Sequence, residues 1–88
     1  SCSTKQTTGC VDNGVHANYA WDGDTFVQAY KPDKGYTSVS ITVERGLSNG
    51  TDVTSNVVGK TTIDGISYDS VTISNVKDEY YIEASGTK

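Results

Sequence analysis

The stretch from Thr37 to Arg45 constrains the fold most, because apolar and polar side chains alternate along it without a break. Val39, Ile41 and Val43 are separated by single polar residues. This pattern is typical of an antiparallel strand with one buried face. A one-residue shift in pairing would expose all three apolar side chains, so the register of this strand is strongly specified.

The composition extends the β prediction to the rest of the chain. Thr, Val and Ile account for 27 of the 88 residues, whereas Leu, Ala and Met account for 5. β-branched side chains favour strands, and the best helix formers are nearly absent. A helical bundle and a doubly wound α/β enzyme are therefore excluded. No apolar run approaches the roughly 20 residues of a membrane helix, so membrane insertion is not expected.

Turn residues divide the chain into six or seven short β-like runs, spaced by about ten residues. Asp64 and Gly65 give the strongest hairpin signal, because both tolerate positive φ. Asp69 and Ser70 are expected to form a bulge or a tight turn. The spacing predicts an all-β fold, a small antiparallel β-sandwich with an immunoglobulin-like or a crystallin-like Greek-key arrangement.

The alternation also predicts which side chains are buried. The outward-facing residues of the clearest strand are Ser40, Thr42 and Glu44. The expected core residues are Val39, Ile41, Val43, Ile66, Val71, Ile73 and Ile82.

One segment resembles a known family. From Val71 to Tyr81 a strand is followed by an apolar residue, a short turn and a tyrosine pair. This order resembles the end of many immunoglobulin-like sandwiches. The resemblance implies a tyrosine corner, in which Tyr80 or Tyr81 would hydrogen-bond back to the turn.

The two cysteines, Cys2 and Cys10, both precede the first alternating run. Paired cysteines in a small polar chain favour a disulfide and hence an oxidising, extracellular location. The chain is therefore predicted to consist of a disulfide-tethered arm over residues 1–14 and one β-sandwich domain over residues 15–88. The first residue is Ser1, which indicates either a processed terminus or a boundary within a longer protein.

The charge pattern excludes several classes of partner. The net charge is −4, and the seven basic residues are scattered singly. A nucleic-acid interface needs a clustered basic face, so no nucleic acid is expected as a partner. His16 is the only histidine, and abundant Ser and Asp residues around it do not constitute a triad. We therefore expect no catalytic residue and no cofactor.

The acidic turns allow one weaker alternative. Asp22 and Asp24 flank Gly23, and residues 12–14 offer further oxygen ligands. A calcium loop built from both segments is the alternative interpretation, but the spacing does not match an EF-hand, so no metal site is predicted. Asn49 begins a glycosylation sequon and is a glycosylation candidate in a eukaryotic secretory route.

The aromatic residues are the most informative functional feature. Six Tyr, one Trp and one Phe exceed what a core with so few aliphatic side chains requires, so some are expected at a binding surface. The candidate binding residues are Tyr19, Trp21, Asp22, Asp24, Tyr30 and Tyr36.

Three functions are compatible with these features. The favoured one is a small secreted, non-catalytic recognition protein, such as an effector, toxin or inhibitor, that binds an extracellular protein or glycan. The first alternative is a carbohydrate-binding module in which Trp21 and Tyr19 stack on a sugar. The second is a structural module of a larger surface protein.

Overall fold

The computed structural model describes residues 1–12, 22–46 and 50–88. These residues form eight strands and one short helix. In chain order the elements are β1 (Cys2–Gln6), β2 (Cys10–Asp12), β3 (Phe26–Pro32), β4 (Ser38–Arg45), β5 (Thr51–Asp52), α1 (Thr54–Val57), β6 (Val58–Ile63), β7 (Ile66–Ile73) and β8 (Tyr80–Thr87).

The strands form two four-stranded sheets, with the orders β1-β8-β4-β5 and β2-β3-β7-β6. The expected all-β sandwich is confirmed, with eight strands rather than six or seven. All described pairs are antiparallel except β1 with β8, which is parallel. The order β2-β3-β7-β6 matches the A-B-E-D sheet of immunoglobulin-like sandwiches, whereas the order β1-β8-β4-β5 does not match their C-F-G sheet.

The N-terminal segment contributes one strand to each sheet. β1 pairs with β8 from Cys2 opposite Tyr80 to Gln6 opposite Ala84, and β2 pairs with β3. Backbone hydrogen bonds therefore hold this segment against both sheets. The predicted boundary between residues 14 and 15 lies outside the described residues.

The predicted disulfide between Cys2 and Cys10 is not formed, and both cysteines are free thiols. Cys2 begins a strand of one sheet and Cys10 begins a strand of the other. Both side chains are buried in the apolar core, and the Cys10 thiol faces the Thr7 carbonyl oxygen at 3.7 Å. Burial, the largest cause in each case, raises the pKa of both thiols.

The buried thiols predict slow reaction with a thiol reagent in the folded state. Because the thiolate is the reactive form, burial and a raised pKa both slow the reaction. We expect a disulfide reagent to modify neither cysteine readily at pH 7 and to modify both Cys2 and Cys10 in denaturant without prior reduction. Fewer than two reactive thiols after unfolding would contradict this structure and favour the predicted disulfide instead.

The hairpin predicted at Asp64 and Gly65 is confirmed. Ile63 in β6 is directly opposite Ile66 in β7, so the two turn residues form the whole connection. Asp64 has φ 51° and Gly65 has φ 79°, as a two-residue hairpin turn with positive φ at both positions requires.

The core lies between the two sheets and includes four of the seven residues predicted to be buried. Val43, Val71 and Ile82 have no exposed surface, and Ile73 is 3% exposed. Val39 and Ile41 are half-buried at the margin of this core. Of the residues expected to face outward, Ser40 and Thr42 are exposed and Glu44 is half-buried.

The prediction for Ile66 is wrong, since this side chain is 42% exposed. β7 continues from Ile66 to Ile73 without the bulge or tight turn expected at Asp69 and Ser70. In an unbroken strand, Ile66 points to the opposite face from Val71 and Ile73. The missing bulge therefore explains the error.

The implied tyrosine corner is not observed among the described residues. Tyr80 is half-buried and Tyr81 is 37% exposed, and neither hydroxyl donates a hydrogen bond to another described residue. The backbone N–H of Tyr80 donates instead to the Ser1 carbonyl oxygen at 2.8 Å. The N-terminus thus fixes the start of β8.

Candidate binding groove

The structure describes four of the six predicted binding residues. Tyr19 and Trp21 lie outside the described residues, as do His16 and the glycosylation candidate Asn49. Asp22 and Asp24 are exposed, and the Asp22 carboxylate is 3.8 Å from the N-terminal ammonium.

Tyr36 is half-buried, with its ring packed against the β1–β2 loop. A methyl group added at Gly9 would come within 2.6 Å of the Tyr36 ring. The Lys88 ammonium lies 5.5 Å from the ring centroid, within the range of a cation–π contact. These contacts give Tyr36 a structural role in joining the loop to the C-terminal end.

Tyr30 belongs to the core rather than to the surface, since it is only 1% exposed. Its buried hydroxyl has no hydrogen-bond partner among the described residues. Burial, followed by the charges of Asp12 and Cys10, raises the pKa of Tyr30 to about 12.

This raised pKa predicts a loss of stability at alkaline pH. An unfolded tyrosine titrates near 10 and Tyr30 near 12, so the folded state holds its proton more tightly. The free energy of unfolding is unaffected by this group below pH 10. Between pH 10 and pH 12 it falls by about 2 kcal/mol. In urea titrations, Tyr30→Phe is expected to be at least as stable as the wild type at pH 7 and to lose less stability across that window. Parallel pH profiles for the two proteins would contradict the assignment.

The acidic turns do not assemble a metal site within the described residues. No group of three or more His, Cys, Asp or Glu side chains there could hold a metal ion. Residues 13 and 14 of the calcium alternative lie outside the described range. The calcium hypothesis therefore gains no support from the described geometry.

The feature most suited to binding is the open edge of β4. β5 pairs only with Glu44 and Arg45, at one end of the eight-residue strand. Beyond that point the edge from Ser38 to Thr42 meets no other described strand. This segment contains no charged residue and no proline.

Asp52 and Thr54 close the edge at one end. The Thr54 N–H donates to Asp52 Oδ1 at 2.8 Å, and hydrogen bonds from the Thr54 side chain and backbone lower the pKa of the Asp52 carboxyl. The Val43 N–H donates to Thr54 Oγ1 at 2.8 Å, and the Val43 carbonyl accepts from Val53 at 2.9 Å. The polar groups of Val43 are thus satisfied on the side of β4 away from β8.

A groove of about 230 Å³ lies beside the open edge, between the two sheets. We call it the binding groove. One wall is formed by the β4 side chains, and Val58, which is 37% exposed, belongs to the other wall. The residues that line the groove are Val39, Ile41, Val58, Gly59, Lys60 and Asp69.

An ion pair lies among the apolar walls of the groove. Lys60 of β6 is directly opposite Asp69 of β7, and its ammonium contacts the Asp69 carboxylate. Each group is thereby neutralised by its neighbour, so the groove presents apolar surface with little net charge.

The sequence did not reveal this groove. Val39 and Ile41 were predicted as core because their alternation shows that one face is buried. It does not show whether another strand covers the edge. The absence of charge and proline from residues 38–42 was the available signal, because protein sheets usually blunt their edges with such residues.

Comparisons with known proteins identify no relative: no protein-family model, curated protein or solved structure matches this chain. Within the described part of the chain, none of the helices has the length and apolar character to cross a bilayer.

Proposed function

We propose that this protein is a non-catalytic recognition module, of the effector, toxin or inhibitor kind, that binds an extracellular partner at the binding groove. The observation that carries the proposal is the combination of an apolar groove with an uncovered strand edge. Binding sites commonly combine an apolar centre with hydrogen-bonding groups at the margin.

The contacts within the groove support binding rather than chemistry. Val39, Ile41 and Val58 supply the apolar surface. The two ionic groups, Lys60 and Asp69, are paired with each other. A paired ammonium and carboxylate are suited to orienting a bound group at the groove margin.

The placement of the aromatic residues moves the proposed contact surface away from the β3–β4 turn. Tyr30 is enclosed in the core, and Tyr36 packs against Gly9 and Lys88. Neither ring is available without disturbing the fold. The binding groove is formed from sheet residues that the fold holds in place, and such a rigid site loses little entropy on binding.

The extracellular setting is part of the same proposal. Because both cysteines are free thiols, a disulfide no longer supports an extracellular location. The direct test is to fractionate cells that produce the protein and to locate it with an antibody.

Two matched substitutions test the groove. Val58→Asp places a charge in the groove wall, and Ile66→Asp places one at an equally exposed apolar site outside the groove. Each protein is screened for binding to arrays of purified extracellular proteins and glycans. We expect Val58→Asp to weaken binding about tenfold or more and Ile66→Asp to leave it unchanged.

Either of two results would overturn the proposal. The first is equal binding by the wild type and Val58→Asp, and the second is no binding to any protein or glycan. Saturable glycan binding that Val58→Asp does not affect would favour the carbohydrate-binding alternative.

A further inference from the structure

We infer that the occupant of the binding groove is an extended peptide that pairs with the open edge of β4 as an added strand. This inference rests on the proposed function and specifies the chemistry of the partner. The peptide would supply backbone hydrogen bonds to β4 and one apolar side chain to the groove.

The hydrogen bonds of β4 identify which groups would receive the peptide. The N–H and carbonyl of Val43 point away from β8, toward Thr54 and Val53. Along a strand the backbone polar groups alternate in direction, so those of Val39 and Ile41 point the same way. They have no partner among the described residues. Within the described residues, two donors and two acceptors are therefore left to pair with a peptide.

The outermost described strands β1, β2 and β6 are protected against edge pairing, whereas the open edge of β4 is not. β1 carries Lys5 and β6 carries Lys60, and β2 has only three residues. Short strands and lysine side chains are common means of preventing edge-to-edge pairing. The segment from Ser38 to Thr42 contains no lysine. It belongs to β4, which, with eight residues, is as long as β8 and longer than the other strands of its sheet.

The size of the groove suits a side chain better than a separate small molecule. Its volume is about 230 Å³, below the range of roughly 300–1,000 Å³ for drug-sized ligands. In an extended peptide every second side chain points to the same face. A peptide paired with β4 would thus direct one leucine-sized or aromatic side chain between Ile41 and Val58.

A peptide fits this edge better than a second copy of the protein. In a dimer paired through β4, each copy would bring its own β6 and α1 to the contact. Each chain also carries a net charge of −4, which opposes self-association. A single peptide strand carries no second layer and meets neither obstacle.

The probe for pairing of a peptide strand with β4 is a capped heptapeptide of alternating Thr and Leu. The control is a peptide of the same length with proline at its centre. Binding is followed by amide chemical shifts of the isotope-labelled protein. We expect the alternating peptide to shift the amide signals of Val39 and Ile41 and to slow their hydrogen exchange. The proline peptide should do neither.

Two proline substitutions test the hydrogen bonds themselves. Val39→Pro removes a donor that points away from β8, so the β4–β8 pairing remains intact. Thr4→Pro removes an equivalent donor at the opposite edge of the sheet. In β1, the Ser1 carbonyl accepts from Tyr80 and the Thr7 N–H donates to Ala84, so the odd-numbered residues pair with β8. The N–H of Thr4 therefore points away from β8. We expect Val39→Pro to weaken peptide binding about tenfold and Thr4→Pro to leave it unchanged. Melting curves confirm that both variants are folded.

Three outcomes would overturn the inference: no shift at millimolar peptide, equal losses in the two proline variants, or a dimer that protects Val39 and Ile41 without peptide. Screening Val39→Pro on the protein and glycan arrays separates this inference from the proposed function. If Val58→Asp abolishes binding to the arrays and Val39→Pro does not, the groove binds a partner by another mode, and only the strand-addition inference fails.

Discussion

Val43→Asp is expected to abolish folding. Val43 has no exposed surface, and its backbone is held by Thr54 and Val53. An aspartate there would bury an unpaired carboxyl group and remove the buried valine side chain, at a combined cost of about 6 kcal/mol or more. Small domains are stable by about 5 kcal/mol at the lower end of the range. Circular dichroism at 25 °C should show a largely unfolded chain.

The neighbouring position supplies the control. Thr42 is exposed on the opposite face of β4, and Thr42→Asp adds the same carboxyl group. Glu83 is directly opposite Thr42 in β8, so like-charge repulsion is expected to cost less than about 1 kcal/mol. Similar urea midpoints for the two variants would show that the register of β4 is not the one described.

Gly86→Ala is expected to destabilise the protein by about 3 kcal/mol or more. A Cβ atom at Gly86 would lie 2.0 Å from the Gly9 carbonyl oxygen. The loop cannot easily move aside, because this oxygen accepts a hydrogen bond from Asp33 at 2.9 Å and Gly86 donates to Thr8 at 3.2 Å. The measurement is the midpoint of urea or thermal unfolding.

Gly59→Ala is the matched control within a strand. The nearest atom to an added Cβ there is Ser70 Oγ at 3.7 Å, and the backbone φ is not positive. Alanine reduces the entropy of the unfolded chain. The free energy of unfolding of Gly59→Ala should therefore be within about 0.5 kcal/mol of the wild-type value or higher than it. If Gly86→Ala were as stable as Gly59→Ala, the close contact between β8 and the β1–β2 loop would be contradicted.

The parts of the fold that depend on local patterns could be predicted from the sequence. The alternation around Val43 identified a half-buried strand, and Asp64 with Gly65 identified a hairpin. Both signals arise within a few residues. Ile66 was misplaced because a bulge was expected in β7, and one extra residue reverses the face of every side chain beyond it.

The N-terminal strands could not be predicted in this way. Residues 2–6 show no apolar alternation, because β1 is held by parallel pairing with β8, more than 70 residues away. Cys2 and Cys10 favoured a disulfide by their number and spacing, but the fold assigns them to different sheets. Only the topology determines whether two such residues meet.

The candidate site depends on topology in the same way. Val39 and Val58 become the two walls of a groove only after β4 and β6 reach the same side of the sandwich. Whether an edge is covered is a property of the assembled sheets. The uncharged segment from Ser38 to Thr42 is compatible with a central strand as well as with an open edge.

Hydrogen exchange along β4, measured residue by residue on the isolated protein, tests the central claim of an open binding edge most directly. We expect an alternating pattern in which the Val39 and Ile41 amides exchange rapidly and those of Ser40 and Thr42, which pair with β8, exchange slowly. Slow exchange at all four positions in the monomer would contradict the account, because it would show that the edge is already covered.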